Sequence, residues 1–266
     1  MFSPICYILI MTPVNKYHLS ERVVEELCDR VTPVRAILFD KDGTLFDFRR
    51  TWVPIIREAT RRVSAGDEDL AERLVRAAGY DPRTDTFVPD GPLAAGNVGD
   101  IACAWTSLLP GHRTEKLVDE MNRFSADQGP RYSVPVCDLS PLMERLTTAG
   151  YRLGLATSDS EEGARLTLAR FGVESSFSWV SGYDSGYGVK PDPVVIENYA
   201  RAIGLRTDQV MMVGDTFHDL RMGREAGAAI VVAVLTGAVS AEVLAPEADV
   251  ILPSIADLPK LLRVPD

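Results

Sequence analysis

Five short apolar runs punctuate this chain, at 34–39, 152–156, 210–213, 230–234 and 249–252. Each is strand-length. The first, Val34-Arg-Ala-Ile-Leu-Phe39, stops at an acidic turn containing glycine, the pattern of a buried strand. Between the runs lie helix-length amphipathic stretches at 141–149, 161–171, 193–203 and 217–226, which end at Gly150, Gly172, Gly204 and Gly227. Strands alternating with helices of this length predict an α/β fold, a doubly wound parallel sheet with helices on both faces. Such a sheet gathers its functional loops at the carboxyl edge of its strands.

One interval breaks the alternation. From 48 to 134 no comparable strand run appears, and 52–63, 67–78, 98–109 and 114–124 read as amphipathic helices around a loop at 81–96 rich in Asp, Pro and Gly. The expected organisation is an N-terminal extension (1–33), a core (34–47 and 135–266) and an inserted α-helical cap domain (48–134). Within the extension, Ser20 is placed to cap a short helix through Val23, Val24 and Leu27.

The formal net charge of −10 argues against a nucleic-acid partner, which calls for a basic patch or stripe. It leaves room for a small phosphorylated metabolite, because one lysine and one metal ion make a local positive site in an acidic protein. Cys6, Cys28, Cys103 and Cys137 are scattered, giving neither a zinc pattern nor a disulfide framework. The apolar stretch 5–11 falls far below the roughly 20 residues that span a bilayer and has no basic residue before it. No membrane association and a cytoplasmic setting are therefore expected. Met11 offers an alternative start, which would leave residues 1–10 untranslated. The oligomeric state leaves no trace in the sequence.

Four segments carry candidate chemistry. Asp40 and Asp42 flank Lys41 ahead of Gly43-Thr44-Leu45. Carboxylates two apart past a strand end converge if the turn curls, one to bind metal and attack, the other to move protons. The bland alternative is a common Asp-Gly turn. Thr157 and Ser158 end the second run with hydroxyls suited to phosphate oxygens, or with Asp159 they only cap the next helix. Lys190 sits in Gly188-Val-Lys-Pro-Asp-Pro193, where prolines restrict the backbone, although a loop lysine is usually solvated. Asp215 directly follows the third run and Asp219 lies four residues on. Acids so placed repel without a cation, and Mg²⁺ suits few carboxylates plus a phosphate; favourable placement at a helix start is the alternative. Each segment alone is modest. Together, at successive strand ends, they form a specific set.

With these residues in view, the chain from 34 to about 253 resembles the haloacid dehalogenase superfamily of phosphohydrolases. The Asp-x-Asp-Gly-Thr-Leu element appears as Asp40 to Leu45, the hydroxyl element as Thr157, the lysine as Lys190 and the terminal acids as Asp215 and Asp219. Cap placement after the first element is similar to the subclass of phosphoglycolate phosphatase and β-phosphoglucomutase. The resemblance implies that Asp40 attacks phosphorus, Asp42 acts as acid and base, and Thr157, Ser158 and Lys190 bind the phosphoryl oxygens. It implies a Mg²⁺ cofactor held by Asp40, the Asp42 backbone carbonyl and Asp215, with Asp219 steadying or joining that shell. Two departures stand out: Lys41 where many relatives have an apolar residue, and Ser158 where asparagine is frequent.

The function so implied is a Mg²⁺-dependent phosphatase acting on a small phosphate monoester, phosphoglycolate being the family-level guess. A β-phosphoglucomutase-like phosphotransferase shares every core group and differs in requiring glucose 1,6-bisphosphate. A 2-haloacid dehalogenase lacks the second acid, a receiver-type signalling module lacks the inserted cap, and a catalytically silent phosphate-binding protein is disfavoured because no core group is missing. Cap candidates for substrate contact are Arg49, Arg50, Trp52, Asn97, Asp100 and Trp105, with both tryptophans placed in the cap core. His112 and His218 have no partner spacing and receive no role.

Overall fold

The strands of the computed structural model, which describes residues 21–265, are β1 (Ala36–Phe39), a hairpin of β2 (Tyr80–Asp81) and β3 (Thr86–Phe87), β4 (Arg152–Ala156), β5 (Phe177–Ser181), β6 (Val210–Gly214), β7 (Ile230–Val234) and β8 (Val250–Leu252). Six of them form one sheet in the order β5-β4-β1-β6-β7-β8, with every neighbouring pair parallel. Parallel neighbours need crossovers, and the helices supply them. These are α1 (Glu21–Glu26), α2 (Cys28–Val31), α3 (Phe48–Val63), α4 (Glu68–Ala77), α5 (Val98–Thr106), α6 (Thr114–Tyr132), α7 (Leu139–Thr148), α8 (Glu161–Arg170), α9 (Val194–Ala202), α10 (Phe217–Glu225), α11 (Ala241–Leu244) and α12 (Leu258–Leu261). Ser20 and the stretch 5–11 lie outside the described residues.

Strand periodicity explains the two-sided core. Ile37 and Phe39 face the cluster that includes α7, α8 and α12, whereas Ala36 and Leu38 face the cluster of α9 and Met222 of α10. All four are fully buried, and burying a large apolar side chain is worth roughly 1.5–3 kcal/mol. A strand covered on both faces reads as an unbroken apolar run. Val23, Val24 and Leu27 of the N-terminal helical segment join the first cluster, and Arg30 pairs with Asp249 at 2.5 Å beside it.

Helices α3 to α6 and the hairpin enclose a separate core of Phe48, Ile56, Leu74, Tyr80, Ile101, Trp105, Leu117 and Met121. Trp105 is buried and its indole N–H donates to the Leu74 carbonyl at 2.8 Å. Asp47 caps α3 by accepting from Arg50 N, and Asn97 and Asp100 form a reciprocal capping box on α5. Among the described residues no helix is long and apolar enough to cross a membrane.

Several elements depart from the sequence reading, among them the β2–β3 hairpin, which lies where only a loop at 81–96 was expected. β5 was not expected: Phe177-Ser-Trp-Val-Ser181 is interrupted by serines, a composition an edge strand tolerates. Helix α3 begins at Phe48 rather than 52, because Asp47 caps it, and it continues through Pro54. Helix α6 runs to Tyr132, through Gly129 and Pro130, rather than ending near 124. There a β-carbon on Gly129 would stand only 3.2 Å from Thr167 Oγ1 of α8. Close packing of the two helices outweighs the helix-breaking propensity of that pair.

Candidate active site

The candidate groups converge on one edge of the sheet. Asp40 follows β1, Thr157 follows β4, Lys190 lies in the loop after β5, and Asp215 follows β6. The parallel register aligns the ends, with Phe39 level with Leu155 on one side and Val213 on the other. The Asp40 amide donates to the Val213 carbonyl at 2.9 Å, which fixes the start of the turn.

Asp40, Asp215 and Asp219 are buried, and each offers an oxygen within 4.8 Å of the others. Lys190 Nζ donates to Asp40 Oδ1 at 2.5 Å and to Asp219 Oδ1 at 2.7 Å. An ammonium has three donors, so one remains for a ligand oxygen. Asp219 Oδ2 accepts from the amide and the hydroxyl of Thr216, at 3.1 and 2.6 Å. Both Asp219 oxygens are thus engaged, and the residue also serves as the third-position acid of the α10 capping box. Its helix-start role and its site role coexist.

Asp40 Oδ2 and Asp215 Oδ2 are different: both are buried with no hydrogen-bond partner. Asp215 Oδ1 accepts only a long bond, 3.3 Å, from Thr44 Oγ1. Burial above all, with repulsion from Asp219 and Asp42 added, pushes the Asp40 carboxyl up to about 7 against the pull of Lys190. Burial, then repulsion from Asp40 and Asp219, drives Asp215 well above the carboxylate range. Buried acids that repel one another and keep free acceptor oxygens form a donor set suited to a hard divalent cation. Gly43 and Gly237 wall Asp215 in, since a β-carbon at either position would overlap its carboxylate. Gly43 also takes φ +95°, a conformation suited to glycine.

Thr157 Oγ1 accepts from the Asp159 amide at 3.1 Å, which leaves its hydroxyl hydrogen available to a ligand. Thr157 and Ser158 line a cleft together with Asp40, Asp42, Lys190, Thr216 and His218. The inserted helical segment contributes Phe48, Trp52 and the segment 92–98 to the lining. The cleft encloses about 50 Å³, room for a few waters.

Lys41 is the largest surprise. Its side chain is 1% exposed, with Nζ 2.6 Å from Asp159 Oδ2 and 3.1 Å from Asp42 Oδ2. Burial, the largest influence, disfavours the ammonium, but attraction to Asp159 and Asp42 more than offsets it and raises the Lys41 pKa. Asp42 is raised chiefly by burial, with Lys41 opposing. Sequence reading noted Lys41 only as a departure and Asp159 only as a helix cap. A lysine directly beyond a doubly buried strand, with an unassigned acid beyond a second one, was the available signal.

Of the cap candidates, Trp52 and Asn97 line the cleft. Arg49 instead pairs with Asp85 and lies over the Phe87 ring, and Arg50 is exposed away from the cleft lining. Asp100 serves the Asn97 cap, and Trp105 sits in the cap core as expected, while Trp52 both packs against that core and faces the cleft. His218, to which no role was assigned, reaches from α10 to the cap, its Nδ1 2.9 Å from the Ala95 carbonyl. His112 is exposed and outside the cleft lining.

The chain is similar in sequence and in fold to known proteins. The family model described as haloacid dehalogenase-like hydrolase matches residues 34–227. The chain is 24% identical over 194 residues to pyrophosphatase PpaX of Halalkalibacterium halodurans, covering 73% of this chain and 80% of that protein. It is 28% identical over 205 residues to a phosphoglycolate phosphatase of Vibrio cholerae, covering 73% and 81%. It is also 28% identical over 187 residues to tyrosine-protein kinase PtkA of Mycobacterium tuberculosis, where it spans 69% of this chain but only 56% of the relative. Among solved structures, a predicted phosphoglycolate phosphatase from Haemophilus somnus superimposes with a TM-score of 0.67 at 19% identity, over 86% of this chain and 98% of the other.

Proposed function

We propose that this chain, which belongs to the haloacid dehalogenase-like hydrolases and is a phosphatase of that family, hydrolyses a small phosphate monoester with Mg²⁺ through an aspartyl-phosphate on Asp40. One observation carries the reading. Asp40 lines a cleft with its Oδ2 buried and unpartnered, while Lys190 pins the other oxygen of the same carboxylate.

Asp40 attacks phosphorus in line, forming an O–P bond as the bond to the leaving oxygen breaks. Asp42 gives its carboxyl proton to that oxygen, then takes a proton from the water that attacks the aspartyl-phosphate. Phosphate and free Asp40 result. Lys190 and the hydroxyls of Thr157 and Ser158 hold phosphoryl oxygens whose charge spreads during transfer.

The donor set fits Mg²⁺, with Asp40, the Asp42 backbone carbonyl and Asp215 as ligands and Asp219 behind them. When bound, the ion offsets repulsion between the attacking carboxylate and the phosphoryl oxygens. Residues 48–134 act as a cap that excludes water on closure. Phosphoglycolate, the substrate named for one relative, is the starting candidate. A screen of phosphorylated metabolites with Mg²⁺, using Asp40→Asn as blank, tests the reading. Release of phosphate from none of them, or equally by the blank, would overturn it.

A further inference from the structure

Lys41 lies outside the residues that line the cleft, yet it is the point where two of the site's loops meet. Its Nζ is 2.6 Å from Asp159 Oδ2 and 3.1 Å from Asp42 Oδ2, with all of these side chains largely or wholly buried. Its carbonyl accepts from the amides of Leu45 and Phe46, at 2.9 and 3.1 Å, which curls the turn that presents Asp42. Asp159 is itself anchored: Oδ1 accepts from the Ser160 amide at 2.8 Å, and its own amide donates to Thr157 Oγ1. The pair therefore ties the loop after β1 to the phosphate-facing loop after β4.

The two oxygens of Asp42 are not equivalent. Oδ2 is held by Lys41, whereas Oδ1 is buried with no well-formed hydrogen bond, the nearby Trp52 indole N–H acting on the same carboxyl, and Asp42 faces the cleft. We propose that the buried Lys41–Asp159 pair is a positioning device that orients Asp42 so that Oδ1 delivers the proton to the leaving oxygen. The proposal rests on the phosphatase reading above. It makes Lys41 a positioning residue, distinct from Lys190, which meets the phosphoryl group.

A lost proton donor slows expulsion of a basic leaving group and hardly affects one that departs as a stable anion. The test is kcat/KM, which reports steps up to the first irreversible one, for phenyl phosphate and 2,4-dinitrophenyl phosphate with saturating Mg²⁺. Lys41→Met is expected to lower the phenyl value on the order of 100-fold and the dinitrophenyl value by less than about 3-fold, with Lys41→Arg recovering most of the loss. An unpaired buried charge destabilises, while apolar replacement of a whole pair is often neutral. The double variant Lys41→Met/Asp159→Leu therefore keeps the measurement readable if the single variant fails to fold, and it should show the same skew between esters. Equal losses on both esters, no loss on either, or a double variant with the wild-type ratio would overturn the assignment of Lys41 alone. Wild-type protein that hydrolyses neither these esters nor any phosphorylated metabolite with Mg²⁺ would overturn the phosphatase reading and this inference with it.

Discussion

The Lys190 ammonium lies 2.5 Å from Asp40 Oδ1, joining residues 150 positions apart in the chain. Both side chains are 6% exposed. The lysine also bonds Asp219, so one cation serves two of the three clustered carboxylates. Burial acts to discharge Lys190, but attraction to Asp219 and then Asp40 outweighs it and moves its pKa upward.

Replacing Lys190 by Met should therefore have two effects. Turnover should fall at least about 100-fold, as for loss of an electrostatic partner in the transition state. Stability should fall by about 3–5 kcal/mol, because a buried pair loses one member. Steady-state kinetics and denaturant unfolding, each with and without Mg²⁺, measure the two separately.

Gly237→Ala should act through the metal. The added methyl overlaps the Asp215 carboxylate and turns it from the cluster. Weakening of roughly 10- to 100-fold in Mg²⁺ affinity, as when the surroundings of metal ligands are disturbed, should appear in the Mg²⁺ dependence of turnover. Asp215→Asn should weaken it at least as much. Chelation should abolish wild-type activity, and added Mg²⁺ should restore it.

A pH effect follows from Asp40 in the metal-free protein. Its folded pKa, about 7, exceeds the ordinary 3.8, so its contribution to stability is full below about 4 and is lost as pH rises toward 7. Asp40→Asn removes that titration. In chelator, the melting temperature of the variant should gain on that of the wild type between those limits. Saturating Mg²⁺, by binding the ionised carboxylate, should shrink the gain. A difference that is flat across this range, or that narrows, speaks against a buried Asp40 of raised pKa.

His218→Ala should loosen the link between α10 and the cap at Ala95. One hydrogen bond is worth about 0.5–1.5 kcal/mol, so KM should rise by roughly 2- to 12-fold, with a smaller change in kcat. Saturation kinetics on any accepted ester measures it.

Much of this fold and site is legible in the sequence alone. The strands β1, β4, β6, β7 and β8 are covered on both faces or lie in the apolar heart of the sheet, so they stand out as apolar runs. The groups that follow them were therefore easy to place at one edge. β5 escaped because Ser178 and Ser181 break its apolar run, whereas β8, at the opposite edge, keeps an unbroken one. The course of α6 past Pro130 depends on packing against α8, which no local propensity encodes. The Lys41–Asp159 pair escaped for a related reason. The two residues are 118 positions apart and become neighbours only because β1 and β4 run side by side. Arginines 49 and 50 illustrate the converse, since residue type suggested a ligand while helix direction turned both away from the cleft.

The most direct measurement is acid-quenched turnover with Mg²⁺ and a hydrolysed ester, followed by mass spectrometry of the peptide that carries Asp40. The aspartyl-phosphate mechanism predicts a phosphoryl group on Asp40 in the wild type, and neither phosphorylation nor phosphate release in a folded Asp40→Asn variant. A phosphoryl group on another residue, or sustained Mg²⁺-dependent turnover by Asp40→Asn, would contradict it.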